Sequence, residues 1–95
     1  MSKQTRTVHV LISGRVQGVW FRGWTEQEAR SRRLDGWVRN RRKGMVEAVF
    51  SGSAGQVQSM LDACAIGPPA ARVSNVEIIG EGGDVSPGFA VRPTV

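Results

Sequence analysis

A chain of 95 residues is long enough for one small domain with a single core and too short for two. Its net charge of +5, from 13 Lys and Arg against 8 Asp and Glu, favours anionic partners such as phosphates, nucleic acid or an acidic membrane surface, although solubility explains most of the arginines. A lone cysteine excludes an internal disulfide, no metal-ligand spacing is present, and no apolar run approaches the roughly 20 residues that span a bilayer. We therefore predict a soluble cytoplasmic protein without a metal or another cofactor.

The first third of the chain predicts a strand, a glycine-containing loop and a helix. In residues 7–13 every second side chain is apolar, with Val8, Val10 and Ile12 on one face, as in a half-buried strand. Residues 22–34 are charged and carry a thin apolar stripe at helical spacing, which predicts a helix. Glu26 and Glu28 precede the basic residues of its second half, an order that matches the helix dipole. Thr25 with Glu28 also fits a capping box, which would start the helix later.

A hairpin and a second helix come next. Residues 36–41 and 45–51 predict two strands joined by a turn at 42–44. Ser53 with Gln56 fits a capping box at the start of a helix that ends at a glycine before two prolines. The apolar side chains of this helix recur at helical spacing: Val57, Met60, Leu61 and Cys64.

The last quarter of the chain completes the sheet. Residues 72–79 predict a strand, residues 80–88 a glycine-rich loop and residues 89–92 a short final strand. The order is βαββαβ with a small extra strand. Because both helices connect strands of one sheet, they must lie on the same face of it. The fold class is therefore α+β, an antiparallel sheet of four or five strands with two helices on one face.

The segment Gly14-Arg15-Val16-Gln17-Gly18-Val19-Trp20-Phe21-Arg22 has the composition of an anion-binding loop. Its glycines let main-chain N–H groups turn towards one point, and the following helix adds its positive end. Arg22 can hold two phosphate oxygens through its planar fork. The Walker A and dinucleotide patterns are absent. The loop supplies donors and positive charge, but no nucleophile and no acid.

That shortage limits the chemistry of a site built on this loop. Water must be the nucleophile of any hydrolysis, and expelling an alkoxide normally needs a general acid or a metal ion. A carboxylate leaves more readily, because its conjugate acid has a pKa of about 4. The loop therefore suits a mixed carboxylic–phosphoric anhydride, although a domain that only binds phosphate would have the same sequence.

Asn40 is the second candidate site residue. Strand alternation places it on the same face as Gly36 and Val38, and we expect this face to look towards the helices. A carboxamide there can accept from water and donate to an oxygen at the same time. An asparagine just before the turn at 42–44 can also cap that turn, and the residues alone favour this second interpretation.

Two segments, 14–22 and 36–40, together resemble the two signatures of the acylphosphatase family, and residues 67–73 resemble the segment after its second helix. The likeness extends from strand one to Arg92. It implies a ferredoxin-like sandwich, with residues 1–95 forming one domain whose core spans about residues 6–92. The implied activity is hydrolysis of acyl phosphates to a carboxylate and inorganic phosphate by direct, metal-free attack of water.

The resemblance also implies roles for individual residues and partners. Arg22 would bind the phosphoryl group and Asn40 would position the attacking water, whose proton would pass to the substrate phosphate itself. The phosphoryl oxygens would be cradled by the main-chain amides of Arg15, Val16, Gln17, Gly18, Val19, Trp20 and Phe21. The implied partners are a small acyl phosphate as substrate and inorganic phosphate as product and inhibitor. The chain is expected to be a monomer that binds no membrane.

The sequence departs from the family pattern at two places. Arg41 follows Asn40 where many members have a small hydroxyl residue. This difference would change either the contacts that support the site residues or the substrate charge that the site prefers. Arg92 is followed by Pro-Thr-Val where many members end in an aromatic residue, which bears on packing of the final strand.

An RNA-recognition module is the main alternative, since it shares the βαββαβ order. Residues 43–50 begin and end like its first RNA-binding signature. The two inner positions, where aromatic rings would stack on bases, hold Met45 and Glu47 instead, so we expect no nucleic-acid binding. A domain that binds phosphate without catalysis stays open as a third hypothesis.

Four other features carry simpler expectations. His9 is expected on the open face of the sheet and Cys64 in the core. Of Trp20 and Phe21, one should pack inward and the other should line the mouth of the site. The basic run at 39–43 is expected to be a solvated hairpin that could also attract anions.

Overall fold

The computed structural model describes residues 4–95, which form one five-stranded sheet and two helices. The elements in chain order are β1 (Thr5–Arg15), α1 (Phe21–Ser31), β2 (Asp35–Asn40), β3 (Val46–Ser53), α2 (Ala54–Ile66), β4 (Arg72–Glu81) and β5 (Phe89–Val91). The strands are ordered β4-β1-β3-β2-β5, with α1 packed over β2 and β5 and α2 over β4, β3 and β1. The predicted βαββαβ order with one extra strand is confirmed.

The sheet is mixed, so the expectation of a purely antiparallel sheet is wrong. β1 pairs antiparallel with β3 and β4, and β2 pairs antiparallel with β3. β5 pairs parallel with β2, with Gly36 opposite Phe89 and Val38 opposite Val91. The reason lies in the chain path. β4 runs in the direction opposite to β1 and β2. After β4 the chain turns back and crosses to the edge of the sheet beside β2, so β5 runs in the same direction as β2.

β1 is longer than predicted because it is paired on both sides. Its neighbours β3 and β4 extend the ladder to residues 5–15, beyond the alternating segment at 7–13. Gly14 is required in this ladder, since it has φ of 118° and a Cβ there would lie 2.2 Å from the carbonyl oxygen of Arg72. The register between β1 and β4 shifts at the same point, between Ser13 and Gly14, two residues before the strand ends at Arg15.

The core lies between the sheet and the helices, as the apolar spacing predicted. Its fully buried strand residues include Val8, Val10 and Ile12 from β1 and Val46, Ala48 and Phe50 from β3. The predicted stripe of α2 is also buried: Val57, Met60, Leu61 and Cys64. Each large apolar side chain buried in this way contributes about 2 kcal/mol of hydrophobic free energy.

The two helices differ in how well the sequence placed their ends. α2 begins at its predicted cap, where the Ser53 hydroxyl accepts from the Gln56 N–H at 3.4 Å, and ends at Gly67. α1 begins at Phe21 and ends at Ser31, earlier than predicted. The capping box at Thr25 is wrong, because that hydroxyl donates to the Phe21 carbonyl inside the helix at 2.8 Å. Neither helix in residues 4–95 is long and apolar enough to cross a membrane.

The acidic residues of α1 do not serve the helix dipole as predicted. No acidic residue lies in its first turn, because the helix begins five residues before Glu26. Glu26 instead pairs with Arg30, and Glu28 pairs with Arg32, at distances of 3.1 and 2.8 Å. These are partly exposed i,i+4 pairs, and each contributes about 0.3 kcal/mol.

Candidate active site

The loop between β1 and α1 leaves its main-chain donors unengaged. None of the N–H groups of residues 16–23 donates to an acceptor within residues 4–95. Three of these groups belong to the first turn of α1, where no intrahelical acceptor exists. Trp20 precedes that turn with φ of 63° and makes no side-chain cap, so no side chain competes for the donors. The positive end of the helix dipole adds to the attraction for an anion at this point.

The loop lines a cavity of about 330 Å³ that reaches the end of β2. Its lining residues are Val16, Gln17, Gly18, Trp20, Phe21, Arg22, Gly23, Asn40 and Val91. The cavity therefore brings Arg22 and Asn40 together from α1 and β2, two elements that pack against each other. Its volume is within the range of small-ligand sites.

Neither Arg22 nor Asn40 has a side-chain partner among residues 4–95. Arg22 is partly buried and forms no ion pair with any carboxylate in the part of the chain that the structure describes. The Asn40 carboxamide makes no hydrogen bond to residues 4–95, so the turn-capping interpretation has no support. The main chain of Asn40 is fixed, since its carbonyl accepts from the Val95 N–H at 3.2 Å. The cavity therefore holds an unpaired guanidinium and an available carboxamide.

Not all of the predicted loop residues reach the cavity. Arg15 ends β1, opposite Arg72 in the ladder, and Val19 packs against the core; neither lines the cavity. Phe21 is buried with 2% exposure, whereas Trp20 is 60% exposed where the cavity opens. The expectation that one aromatic residue packs inward while the other lines the mouth is confirmed.

The cavity lining contains no carboxylate, histidine or cysteine. Its chemistry must therefore come from hydrogen-bond donors, positive charge and a carboxamide. Residues 4–95 also contain no cluster of three or more His, Cys, Asp and Glu side chains placed to hold a metal ion.

The comparison with known proteins decides the family. A family model described as Acylphosphatase matches residues 8–91. This chain belongs to the acylphosphatase family. It is 48% identical to an acylphosphatase of Rhodospirillum rubrum over 90 residues, which covers 95% of this chain and 99% of that relative. It is 50% identical to an acylphosphatase of Azorhizobium caulinodans over 92 residues, which covers 96% and 99% of the two chains.

Solved structures agree with this assignment. The crystal structure of acylphosphatase from Bacillus subtilis superposes with a TM-score of 0.85 at 32% identity, covering 94% of this chain and 99% of that one. The ferredoxin-like sandwich implied by the sequence is therefore the fold of this acylphosphatase family member. Hydrolysis of acyl phosphates is the activity that goes with the family.

Gln17 has a contact that the sequence interpretation missed. Its side-chain Nε2 donates to the carbonyl oxygens of Arg41 at 2.7 Å and Met45 at 2.9 Å, on either side of the β2–β3 turn. The carboxamide thus ties the loop to the hairpin immediately after Asn40. The available signal was a single uncharged polar side chain among the apolar residues of the loop, and it gave no indication of the partner.

The departure at Arg41 is explained by the opposite face of the sheet. The Arg41 guanidinium donates to Glu47 at 3.0 Å and does not line the cavity. Glu47 also accepts from Arg39 at 2.8 Å and is hydrogen-bonded to His9 at 2.5 Å, and its side chain is only 3% exposed. The expectation of a solvated basic hairpin holds for Arg42 and Lys43, which are exposed, and is wrong for Arg39 and Arg41, which pair with Glu47. His9 lies on the open face, as predicted.

This network controls the charge of Glu47. Burial by itself raises the pKa of Glu47, but hydrogen bonds from Arg39, His9 and Arg41 outweigh it and lower the pKa to about 2. The open face therefore has a buried carboxylate where an RNA-recognition module places a stacking ring. Trp37 on the same face is covered by the guanidinium groups of Arg39 and Arg92, each 4.7 Å from its ring centroid. No feature of this face favours the RNA-binding alternative.

Proposed function

We propose that acyl phosphate hydrolysis takes place in the cavity shared by Arg22 and Asn40. One observation carries the proposal: an unpaired guanidinium and an unengaged carboxamide line the same 330 Å³ cavity beside a loop whose N–H groups have no acceptor in residues 4–95. A site with free donors, one positive charge and no acid or base suits a dianionic phosphoryl group with a good leaving group.

The phosphoryl group is held by charge and by direct donors. Two of its oxygens accept from the Arg22 guanidinium in a bidentate arrangement. The remaining charge is stabilised by main-chain N–H groups of the loop at the positive end of α1. These donors are fixed before substrate arrives, so they stabilise the charge of the transition state without having to reorganise.

Asn40 directs the attacking water. Its carboxamide oxygen accepts a hydrogen bond from water, and its NH₂ group donates to a phosphoryl oxygen, so the water oxygen faces phosphorus. The new P–O bond forms as the bond to the acyl oxygen breaks, and the carboxylate leaves with the electron pair. The water proton passes to a phosphate oxygen, which makes a separate base unnecessary. The products are a carboxylate and inorganic phosphate.

The test is a turnover assay with benzoyl phosphate in wild type, Arg22→Gln and Asn40→Ala. Loss of Arg22 should abolish both turnover and inhibition by inorganic phosphate. Loss of Asn40 should lower kcat by about 10²–10³ while phosphate affinity stays nearly unchanged, because a transition-state donor is removed without the anion site. Wild type should hydrolyse a phosphate monoester far more slowly, and EDTA should not change the rate.

The control is Arg42→Gln, since Arg42 is exposed and lies outside the cavity. It should retain wild-type kinetics. Phosphate inhibition that survives in Arg22→Gln would place the anion elsewhere, and efficient hydrolysis of the monoester would contradict the leaving-group argument. Wild-type protein without turnover above buffer would leave a domain that only binds phosphate.

Four finer statements belong to the same proposal. Inorganic phosphate, as a product, competes with substrate for Arg22 and the loop. The chain acts as a monomer, because the residues assigned to the site all belong to one copy. Residues 1–95 form one domain whose core spans about residues 6–92. The lone buried cysteine suits the reducing conditions of the cytoplasm, where we place the protein.

A further inference from the structure

Trp20 occupies an unusual position for a large aromatic residue. It is 60% exposed, although its neighbours in the chain are turned inward: Phe21 is buried, and Val19 is partly buried against the core. Its indole lines the cavity of Arg22 and Asn40 at the opening to solvent. Val91, which is 43% exposed, supplies a second exposed apolar side chain of the lining, whereas the apolar Val16 and Phe21 are buried. The mouth of the site is therefore apolar, whereas the inner part provides donors.

The backbone of Trp20 is strained in the conformation that holds the indole in this position. Trp20 has φ of 63° and ψ of 27°, the left-handed region that bulky residues rarely adopt. Such conformations cluster at functional sites, where the surrounding structure maintains them. Neither burial nor a capping hydrogen bond compensates for the strain at Trp20, because its side chain is exposed and caps nothing.

Gly23 makes room for the indole on the first turn of α1. A Cβ at Gly23 would lie 2.1 Å from the indole Nε1 of Trp20 and 2.6 Å from its Cε2. The ring thus lies directly against the helix turn, and an alanine at this position would displace it. The left-handed backbone of Trp20 and the lack of a side chain at Gly23 together place the indole at the mouth of the cavity.

We propose that Trp20 binds the acyl group of the substrate and gives the enzyme a preference for aromatic over small aliphatic acyl phosphates. The inference rests on the proposed function. If Arg22 and the loop hold the phosphoryl end, the acyl end extends towards the mouth, where Trp20 is. An exposed indole offers a planar apolar surface to an aryl ring, while an acetyl group is too small to cover it.

The experiment compares kcat/KM for benzoyl phosphate and acetyl phosphate in three proteins: wild type, Trp20→Asn and Trp20→Phe. Asparagine tolerates the left-handed conformation, so Trp20→Asn removes the ring and keeps the backbone. We expect it to lower kcat/KM for benzoyl phosphate about fivefold more than kcat/KM for acetyl phosphate, the size of one aromatic pair. Trp20→Phe should retain most of the preference, whereas Arg22→Gln, which removes the guanidinium of the anion site, should abolish turnover of both substrates alike.

Gly23→Ala is a second, independent variant. It keeps the indole but displaces it, so it should also reduce the preference for benzoyl phosphate. Equal losses on both substrates in Trp20→Asn, or no loss on either, would overturn the role of Trp20 while hydrolysis itself stands. Wild-type protein that hydrolyses neither substrate would overturn the proposed function and this inference with it. Matching circular dichroism and thermal melts of the variants establish that each one is folded.

Discussion

At the scale of single residues, Glu47 shows how one carboxylate organises the face of the sheet opposite the site. Its three partners come from β1, from β2 and from the turn that follows β2, so it links the central strands of the sheet. A carboxylate this buried is stable only while its partners compensate for lost hydration. Arg41 is thereby drawn to the open face, and its neighbour Asn40 faces the cavity because successive strand side chains alternate.

Glu47→Gln should lower the free energy of unfolding by about 3 kcal/mol at pH 7, since it removes one partner of a buried charged network. The pKa of Glu47 falls from 4.5 in the reference state to about 2 in the folded protein. Its stabilising contribution is therefore complete above about pH 4.5 and is lost as the pH falls towards 2. Urea unfolding at pH 7 and pH 3 should show a smaller pH dependence in the variant than in wild type.

The matched control is Glu77→Gln on exposed β4, which should change stability by less than about 0.5 kcal/mol. A Glu47→Gln protein as stable as wild type at pH 7, or one with the same loss of stability on acidification, would contradict this account of the network.

At the scale of elements, the site depends on how the loop after β1 is attached to the β2–β3 hairpin. Arg22 and Asn40 belong to different elements, so their separation depends on the contact between them. Gln17 adds to the packing of α1 on β2 with two hydrogen bonds to main-chain carbonyls on either side of the turn that follows Asn40. The loop thus has a fixed point on the hairpin as well as its covalent connections.

Gln17→Leu should loosen the loop and misplace Arg22 relative to Asn40. We expect kcat to fall about tenfold, because small misplacements of reacting groups are costly, and stability to fall by about 1–2 kcal/mol for the lost hydrogen bonds. Steady-state kinetics with benzoyl phosphate and urea unfolding measure the two effects. Gln58→Leu, at an exposed glutamine of α2, is the control and should keep wild-type kinetics. A loss of stability without a change in kcat would reduce the role of Gln17 to structure alone.

At the scale of the whole molecule, Cys64 reports on the integrity of the core. It is fully buried on α2 beneath the sheet, and burial raises the pKa of its thiol to about 12. A thiolate, rather than a thiol, reacts with disulfide reagents. In the native state, Cys64 is therefore both shielded and protonated.

Labelling of Cys64 by a disulfide reagent should be slow in native buffer and fast in concentrated urea. Because the cysteine lies between helix and sheet, labelling requires the core to open, and its urea dependence should coincide with that of far-ultraviolet circular dichroism. The control is protein labelled in full denaturant, which gives the rate for the accessible thiol. Labelling at that rate in native buffer would show that α2 detaches without global unfolding.

Local pattern accounts for the features that the sequence predicted well. The alternation of β1, the apolar stripe of α2 and its Ser53 cap all depend on residues within a few positions of each other. The composition of the loop likewise indicates an anion site, because donors and glycines lie within one short segment. The bounds of α1 were predicted less accurately, because its start depends on the left-handed Trp20, a conformation that a propensity for tryptophan does not indicate.

By itself, then, the sequence determined the order of the elements, the faces that β1, β2 and β3 bury and the kind of ligand that the loop can attract. Tertiary structure alone decided that β5 runs parallel to β2, that Gln17 binds the hairpin, that Glu47 collects three partners and that Arg22 shares a cavity with Asn40. The physical reason is the separation along the chain of the residues that interact. Burial periodicity and capping act between near neighbours in the chain, whereas these contacts join segments that become neighbours only when the sheet and helices pack together.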